Sequence, residues 1–302
     1  MSSNIIKMVI SILIMLPLTT YYLSVEEIGL YTFLLLLANT ILNTFNSGAN
    51  LIINAYYFTI VNSRRKELFF HLYLVELMLK IVVILFLFFF NQYLLSSIIT
   101  DYKNFDSSYF ILLCFSVLFY STKPILYHFF TVRKESKKYF YYNMIEMCLL
   151  VFFTIITLYI FNLGLYGYVI ATLFASIVFF IVDILTVKSE MLFKFKFKWL
   201  LITYHKGIKL FYANAVENFL NFYDSFIVQK ALNMYQLGLY SHAKQYITKF
   251  SALDKAFFQA YSVSYMKMLK GEEAPNILKI TGAWYSFLII VGIGVIYLSD
   301  DV

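Results

Sequence analysis

The sequence predicts an all-α integral membrane protein that crosses the bilayer about nine times. Three observations lead to this fold class. Apolar residues make up 61% of the chain and charged residues only 14%, whereas soluble domains carry about 25% charged residues. The apolar residues are grouped in runs of about 20, the length that a helix needs to cross the hydrocarbon core. The lysines and arginines concentrate in every second loop between these runs.

The nine apolar runs are separated by short polar segments. The first run lacks the small-residue cleavage site of a secretory signal, so we expect it to remain as a membrane anchor. In chain order the runs cover residues 5–23, 28–58, 69–90, 109–132, 139–161, 165–187, 208–228, 239–261 and 277–298.

The basic residues predict the orientation of the chain. All three arginines, Arg64, Arg65 and Arg133, lie on one side, together with most of the lysines. The opposite side has Lys103 and Lys230 among acidic residues. Cytoplasmic loops keep the excess of positive charge, so the sequence predicts a cytoplasmic N-terminus. The abundance of isoleucine, lysine and asparagine is typical of AT-rich bacterial genomes and indicates a bacterial inner (cytoplasmic) membrane.

Basic and aromatic residues alternate between Lys194 and Trp199, after the sixth run. Such alternation also occurs on nucleic-acid-binding surfaces. Between two membrane runs it indicates an interfacial segment, with its rings among the lipid headgroups and its ammonium groups facing anionic lipid. We therefore expect membrane lipid, and no nucleic acid, as its partner.

A short motif recurs where helices begin on the predicted outer side. The second helix begins with EIGLY (residues 27–31), the eighth with QLGLY (236–240) and the sixth with the looser LGLY (163–166). The copies in the second and eighth helices are six crossings apart. This spacing predicts two six-helix lobes in parallel orientation, as in transporters built from repeats.

The repeat also predicts the domain organisation. We expect an N-terminal six-helix lobe at residues 1–187, a cytoplasmic linker at 188–207 and a C-terminal lobe at 208–302. The last segment holds only three runs, so the prediction is one complete lobe plus half of a second. On this basis the chain is expected to be a truncated form of a protein of roughly twelve helices, or the product of an interrupted gene.

Five asparagines follow one face of the second run, at spacings of four, three, four and four residues. A face of this kind indicates either hydrogen bonds between helices or a water-lined surface. The five amides are Asn39, Asn43, Asn46, Asn50 and Asn54.

Carboxylates mark one face of the seventh run. Glu217 and Asp224 are two turns apart on the same face. A charged side chain at mid-bilayer costs about 2.5–3.5 kcal/mol on insertion scales, so both should face protein or water. We interpret this face as the wall of a cavity; an ion pair with a neighbouring lysine is the alternative.

Four lysines are candidates for contact with an anionic substrate. The alternative is that they neutralise Glu217, Asp224 or Glu146, and the sequence leaves both open. The four are Lys123 in the fourth run and Lys244, Lys249 and Lys255 in the eighth.

Two other charged features have simpler interpretations. Glu76 and Lys80 are spaced i, i+4 in the third run, so we expect them to satisfy each other. Asp183 lies near the predicted cytoplasmic end of the sixth run, where we expect it to reach interfacial water.

No enzyme signature occurs in the sequence. The four histidines are scattered without metal-ligand spacing, and no glycine-rich phosphate loop is present. No predicted loop exceeds about 25 residues, which is short for the reaction site of a membrane enzyme. We therefore expect a transporter rather than an enzyme, with no metal and no cofactor.

Several of these segments resemble the polysaccharide-transporter branch of the multidrug, oligosaccharidyl-lipid and polysaccharide exporter superfamily, which includes the O-antigen flippases. Pro17 in the first helix carries part of the resemblance, as does Asp224, about a dozen residues before an outer Gly-Leu-Tyr. The matching segments are residues 26–31, 133–142, 164–171 and 224–240.

The resemblance implies two lobes around a central cavity, walled largely by helices one, two, seven and eight. It implies a flippase for a lipid-pyrophosphate-linked oligosaccharide in O-antigen, lipopolysaccharide or capsule biosynthesis. A polysaccharide polymerase and chain-length proteins are the expected partners. The lysines and asparagines above are then candidates for substrate contact, and Glu217 and Asp224 for ion coupling or charge pairing. A multidrug or cation antiporter of the same superfamily, and an inactive remnant of an interrupted flippase gene, are the alternatives.

Overall fold

The structure is a computed structural model that describes residues 6–7, 9–45, 52–53, 60–99, 106–133, 135–188, 191–244 and 282–286. All regular secondary structure in these ranges is helical. Most of it belongs to one compact unit, Ser2–Ile247, whereas residues 282–286 belong to a second unit.

We number nine helices, α1 to α9, among the described residues of the first unit. A π-helical turn, Ser11–Met15, precedes α1, and a π-helical segment, Ile155–Ile160, continues α6. The ninth, α9, covers residues 234–244. The others are α1 (Leu16–Tyr22), α2 (Val25–Thr44), α3 (Asn62–Ile98), α4 (Ser108–Tyr120), α5 (Lys123–Val132), α6 (Ser136–Thr154), α7 (Gly164–Val187) and α8 (Phe197–Ala231).

Five stretches among the described residues are long and apolar enough to cross a membrane. They are Val25–Thr44, Arg64–Ile98, Ser108–Thr131, Ser136–Ile160 and Gly164–Val187. A shorter apolar helix covers Leu13–Tyr22. The protein is therefore an all-α, multi-pass membrane protein. The eighth and ninth predicted crossings lie largely outside the described residues, so the count of nine stays a prediction.

The second helix is shorter than the 31-residue run that the sequence predicted. It ends at Thr44 after 20 residues, and Phe45 leaves the helical region with φ −89° and ψ 77°. A crossing needs only about 20 helical residues, so the helix as observed is long enough to span the hydrocarbon core. Gly48, a typical helix-stop residue, follows in the sequence.

The fourth predicted helix is divided in two at Ser121 and Thr122. Pro124 is the cause, because it has no N–H to offer the carbonyl of Tyr120, four residues earlier. The chain turns instead, with the Ser121 N–H donating to the Leu118 carbonyl (3.0 Å) and the Ile125 N–H to the Thr122 carbonyl (3.0 Å). The predicted run over 109–132 thus corresponds to one candidate crossing, Ser108–Thr131, which contains a turn.

Two helices extend well beyond their predicted apolar runs. α3 has 37 residues and so measures about 56 Å, which carries its ends past the hydrocarbon core. α8 begins at Phe197, eleven residues before the predicted start of the seventh crossing at residue 208. Half of the predicted linker is thus helical, while the boundaries of the two predicted lobes stay predictions.

Two apolar clusters fill the first unit, toward opposite ends of α3. The first cluster includes Phe33, Leu95 and Phe110 and lies toward the end of the unit where α2 begins. The second cluster includes Leu68 and Phe129 and lies toward the start of α3. Between them, α3 and the α4–α5 turn carry polar side chains, so the middle of the bundle is polar while both ends are apolar.

The two best copies of the Gly-Leu-Tyr motif lie against each other at the first cluster. Each opens a capped helix: the Glu27 N–H donates to Oγ of Ser24 (3.2 Å), and the Gln236 N–H donates to Oδ1 of Asn233 (2.8 Å). A Cβ on Gly29 would lie 2.5 Å from the Met234 carbonyl oxygen and 2.7 Å from the Gly238 nitrogen. The two copies therefore share one local structure, and glycine lets their backbones touch.

We expect Gly238→Ala to destabilise the protein strongly, because a Cβ at this position would overlap the carbonyl oxygen of Val25. Separating two helix starts to admit a methyl group should cost about 1–3 kcal/mol. Thermal unfolding of the purified protein in detergent measures this loss as a lower midpoint. Gly282→Ala is the matched control, since nothing lies within 4 Å of a Cβ there. Equal midpoints for both variants would contradict the close contact.

Candidate functional site

A cavity of about 320 Å³ lies among α2 to α6. Its polar and charged lining residues include Asn39, Asn43, Glu76, Lys80, Tyr120, Ser121, Lys123 and Glu146. Each of these residues lies in a stretch that is long and apolar enough to cross a membrane. The cavity is therefore a polar chamber within a membrane bundle, and it contains three of the candidates predicted from the sequence, Asn39, Asn43 and Lys123.

The asparagine face of α2 forms one wall of the chamber through a chain of hydrogen bonds. Asn39 donates to the Leu35 carbonyl (2.9 Å), and Asn43 donates to Oδ1 of Asn39 (3.1 Å). Lys80 of α3 then donates to Oδ1 of Asn43 (3.0 Å). Asn43 thus accepts a hydrogen bond from a neighbouring helix, and both Asn39 and Asn43 line the cavity.

Lys80 also forms the predicted ion pair with Glu76, at 2.8 Å. The two side chains are only 2% and 3% exposed. A buried charge without a partner would be strongly destabilising. The pairing therefore allows α3 to hold two charged residues inside the bundle. The prediction that Glu76 and Lys80 satisfy each other is confirmed.

Glu146 of α6 is the centre of a second charged cluster. Its two carboxylate oxygens form separate ion pairs with Lys123 and with Lys7, which precedes α1. The hydroxyl of Tyr127 donates a third hydrogen bond to the same carboxylate (3.1 Å). The Nζ atom of Lys123 also lies 5.5 Å from the ring centres of both Tyr120 and Tyr127.

The turn before Pro124 places Lys123 in the chamber. An unbroken helix would continue past Tyr120, but the turn at Ser121 and Thr122 sets these residues against the cavity. The buried hydroxyl of Ser121 has no protein hydrogen-bond partner. The α4–α5 turn thus brings a cation and an unsatisfied hydroxyl to one wall.

Two lysines, Lys80 and Lys123, and two carboxylates, Glu76 and Glu146, line the chamber. Lys7 adds an ammonium group next to the lining, at Glu146. The lining itself carries no net charge, but its lysines, amides and hydroxyls can all donate hydrogen bonds. Chemically, this arrangement suits an anionic or hydroxyl-rich ligand.

The described candidates of the seventh and eighth predicted helices, Glu217, Asp224 and Lys244, do not line this chamber. Asp224 is 60% exposed and lies 3.6 Å from Lys244 of α9, and the Tyr240 hydroxyl is 3.5 Å from the same carboxylate. Glu217 is exposed on α8. The Asp224–Lys244 contact has the geometry of the charge-pairing alternative. Lys249, Lys255, Asn46, Asn50 and Asn54 lie outside the described residues.

The resemblance implied a cavity walled largely by helices one, two, seven and eight, but the chamber has different walls. It lies inside the N-terminal helices, and α2 is the one helix shared with the implied cavity. α8 nevertheless packs on α2, where Phe222 and Phe33 have ring centres 5.3 Å apart and the Thr40 hydroxyl donates to the Asn218 carbonyl (3.3 Å).

Asp183 of α7 corrects another expectation. It is fully buried and does not reach interfacial water. Its carboxylate accepts hydrogen bonds from the hydroxyls of Tyr73 (2.8 Å) and Thr122 (2.5 Å). These bonds tie α7 to α3 and to the α4–α5 turn. The position of Asp183 near a helix end suggested exposure, but neighbouring helices extend beyond it.

The sequence indicated Glu146 as a possible partner of Lys123, and the structure has this ion pair. Sequence reasoning missed the second partner, Lys7, because it lies 139 residues before Glu146. The available signal was Pro124 next to Lys123, which predicts a break in the helix at a buried cation. No group of histidine, cysteine and acidic side chains suited to a metal ion occurs among the described residues.

The chain also matches a known protein family. A family model described as polysaccharide biosynthesis protein matches residues 20–275, which is most of the 302-residue chain. Neither a curated protein nor a solved structure matches the chain.

We expect Glu146→Gln to destabilise the protein more than Lys123→Gln. The first change leaves Lys7 and Lys123 without their shared carboxylate, and breaking such a pair costs roughly 3–5 kcal/mol when both groups are buried. These side chains retain 14–27% exposure, so we expect a value near 3 kcal/mol. Lys123→Gln leaves Glu146 paired with Lys7 and should cost about 1 kcal/mol. Thermal unfolding midpoints in detergent test this order, and equal shifts would contradict the central position of Glu146.

Proposed function

The chain belongs to the polysaccharide biosynthesis protein family, and we propose that it is a flippase for a lipid-linked oligosaccharide. It moves the repeat unit of an O-antigen or capsular polysaccharide from the cytoplasmic to the periplasmic leaflet. The lipid carries the sugar through a pyrophosphate. The observation that carries this proposal is the polar chamber, with its lysines, amides and hydroxyls, inside an apolar helical bundle.

The physical obstacle to this transport is desolvation. A pyrophosphate and a chain of sugar hydroxyls cannot enter hydrocarbon without losing their hydrogen bonds to water, and each uncompensated polar group costs several kcal/mol. A chamber lined by amides, hydroxyls and lysines replaces those bonds. The isoprenoid tail needs no such path, because it stays in the lipid.

The size of the chamber sets what it holds at one time. A volume of about 320 Å³ is at the lower limit of small-molecule sites, so it accepts the pyrophosphate with an adjoining sugar rather than a whole repeat unit. The remainder of the oligosaccharide then extends beyond the chamber. The predicted candidates Lys244, Lys249, Lys255, Asn46, Asn50 and Asn54 are proposed to contact it along the rest of the path.

Glu146 gives the chamber a way to release a cation to the substrate. Because two lysines share this carboxylate, Lys123 can turn toward a phosphate oxygen while Lys7 keeps Glu146 neutralised. The phosphate and the Glu146 carboxylate are then each paired with a lysine, so no unpaired charge is left in the membrane. Glu217 and Asp224 are proposed to pair with lysines such as Lys244, or to bind a coupling ion.

The proposed setting follows from the same chemistry. We place the protein in a bacterial inner membrane with its N-terminus in the cytoplasm, where lipid-linked precursors are made. A polysaccharide polymerase and chain-length proteins would use the product on the periplasmic side. The protein acts as a transporter and not as an enzyme.

We expect Lys123→Gln to lower surface polysaccharide at least tenfold in a strain deleted for its own flippase. A charged hydrogen bond contributes about 1.5–3 kcal/mol, which corresponds to a factor of about 10 or more. Surface glycan is scored by gel and antibody, with membrane levels of the protein checked by blot. The strain should carry the glycan genes of the source organism.

Lys137→Gln is the matched control, since Lys137 is an exposed lysine at the start of α6, away from the chamber. Unchanged glycan in Lys123→Gln would contradict the role of Lys123. If the unaltered chain transports dyes but restores no glycan, the antiporter alternative replaces the flippase.

A further inference from the structure

The segment between α7 and α8 presents alternating aromatic and basic side chains at the surface. Residues 191–196 form no regular secondary structure, and α8 begins at Phe197. Phe193, Phe195 and Phe197 are 64%, 60% and 66% exposed. Lys194 and Lys198 are exposed between and after them. Three large phenyl rings in this position form an apolar surface that water would solvate poorly.

Hydrogen bonds hold this segment against the start of α3. The Leu192 N–H donates to the Lys66 carbonyl (3.2 Å), and the Lys196 N–H donates to Nε2 of His71 (2.8 Å). The ammonium group of Lys196 forms an ion pair with the largely buried Glu67 (2.7 Å). The exposed rings are therefore held in place by the fold.

His71 fixes the backbone of the segment through both of its ring nitrogens. Nδ1 lies 2.8 Å from the Glu67 carbonyl oxygen, which can only accept, so Nδ1 carries the hydrogen. Nε2 is then the acceptor for the Lys196 N–H. Because His71 is fully buried, this connection does not depend on solvent.

The surroundings of the segment are positively charged and adjoin the membrane. It follows Val187, the last residue of a membrane-spanning helix, and it lies beside Arg64 and Lys66 at the start of another. Rings and ammonium groups in alternation match the boundary between acyl chains and anionic headgroups, which solvates both. A soluble acidic partner would neutralise the lysines but would not bury the phenyl rings.

We propose that residues 193–198 form a binding surface for anionic phospholipid in the cytoplasmic leaflet. The phenyl rings enter the upper acyl region, and Lys194 and Lys198 contact the headgroup phosphates. Through the connections to Lys66, Glu67 and His71, bound lipid stabilises the junction between α7 and α8. This surface is distinct from the chamber, and it uses the predicted orientation but not the proposed cargo.

An environment-sensitive fluorophore on Phe195→Cys tests the proposal in the full-length protein. Cys148→Ala removes the exposed native thiol, while Cys114 is buried and can remain. The labelled protein in detergent is titrated with phosphatidylglycerol, phosphatidylcholine or a polyprenyl pyrophosphate. We expect phosphatidylglycerol to shift the emission to shorter wavelength at a lower concentration than the other two. A second label, on Phe193→Cys, should respond in the same way.

Lys194→Gln/Lys198→Gln should weaken the apparent affinity for phosphatidylglycerol roughly 25-fold, since each lysine near an anionic surface contributes about fivefold. Lys137→Gln/Lys138→Gln removes the same charge from exposed lysines at the start of α6 and should change the affinity less than twofold. Gel filtration and circular dichroism confirm that each variant is folded.

Three results would overturn the proposal: equal responses to phosphatidylcholine and phosphatidylglycerol, equal losses in both double variants, or a response to the pyrophosphate alone. The last result would make the segment part of the cargo path. Because the assay measures no transport, a failure of the proposed flippase activity would leave its result unaffected.

Discussion

Charge buried inside an apolar helical bundle constrains this structure more than any other feature. Glu76, Lys80, Lys123 and Glu146 lie on helices that must otherwise face hydrocarbon, and an unpaired charge there would cost several kcal/mol. Pairing removes most of that cost and brings the segment before α1, α3, the start of α5 and α6 together around the chamber. The apolar clusters pack toward the two ends of α3, on either side of the charged residues. The polar chamber therefore lies where the charged side chains meet, between the two clusters.

The close approach of Gly29 and Gly238 complements this arrangement at one end of the bundle. The starts of α2 and α9 have the same capping pattern and the same Gly-Leu-Tyr sequence, and their backbones touch where any side chain would separate them. A pair of repeated helix starts that meet in this way is expected when related lobes share one axis. The contact also brings α8, with its exposed carboxylates, next to the asparagine-bearing helix α2.

Local patterns in the sequence predicted the local structure well. Five of the nine apolar runs correspond to described helices that are long and apolar enough to cross a membrane, and the i, i+4 spacing predicted the Glu76–Lys80 pair. Both depend on residues close in the chain. The candidate site was predicted only in part. Asn39, Asn43 and Lys123 meet in the chamber, but Lys7 and Glu146 come together only because the segment before α1 packs against α6. Likewise, the depth of Asp183 depends on how far α3 extends past it, which no pattern within α7 records.

Photo-crosslinking from the chamber tests the central claim most directly. Tyr120 lines the cavity, whereas Tyr141 of α6 is 63% exposed, so each is replaced in turn by a photoreactive phenylalanine derivative. Cells that synthesise the radiolabelled lipid-linked oligosaccharide are irradiated, and the purified protein is examined for bound label. We expect capture from position 120 at least tenfold above position 141, and competition by added lipid-linked oligosaccharide. Equal labelling at both positions, or none at 120 in a strain whose surface glycan depends on this protein, would show that the chamber is not the transport path.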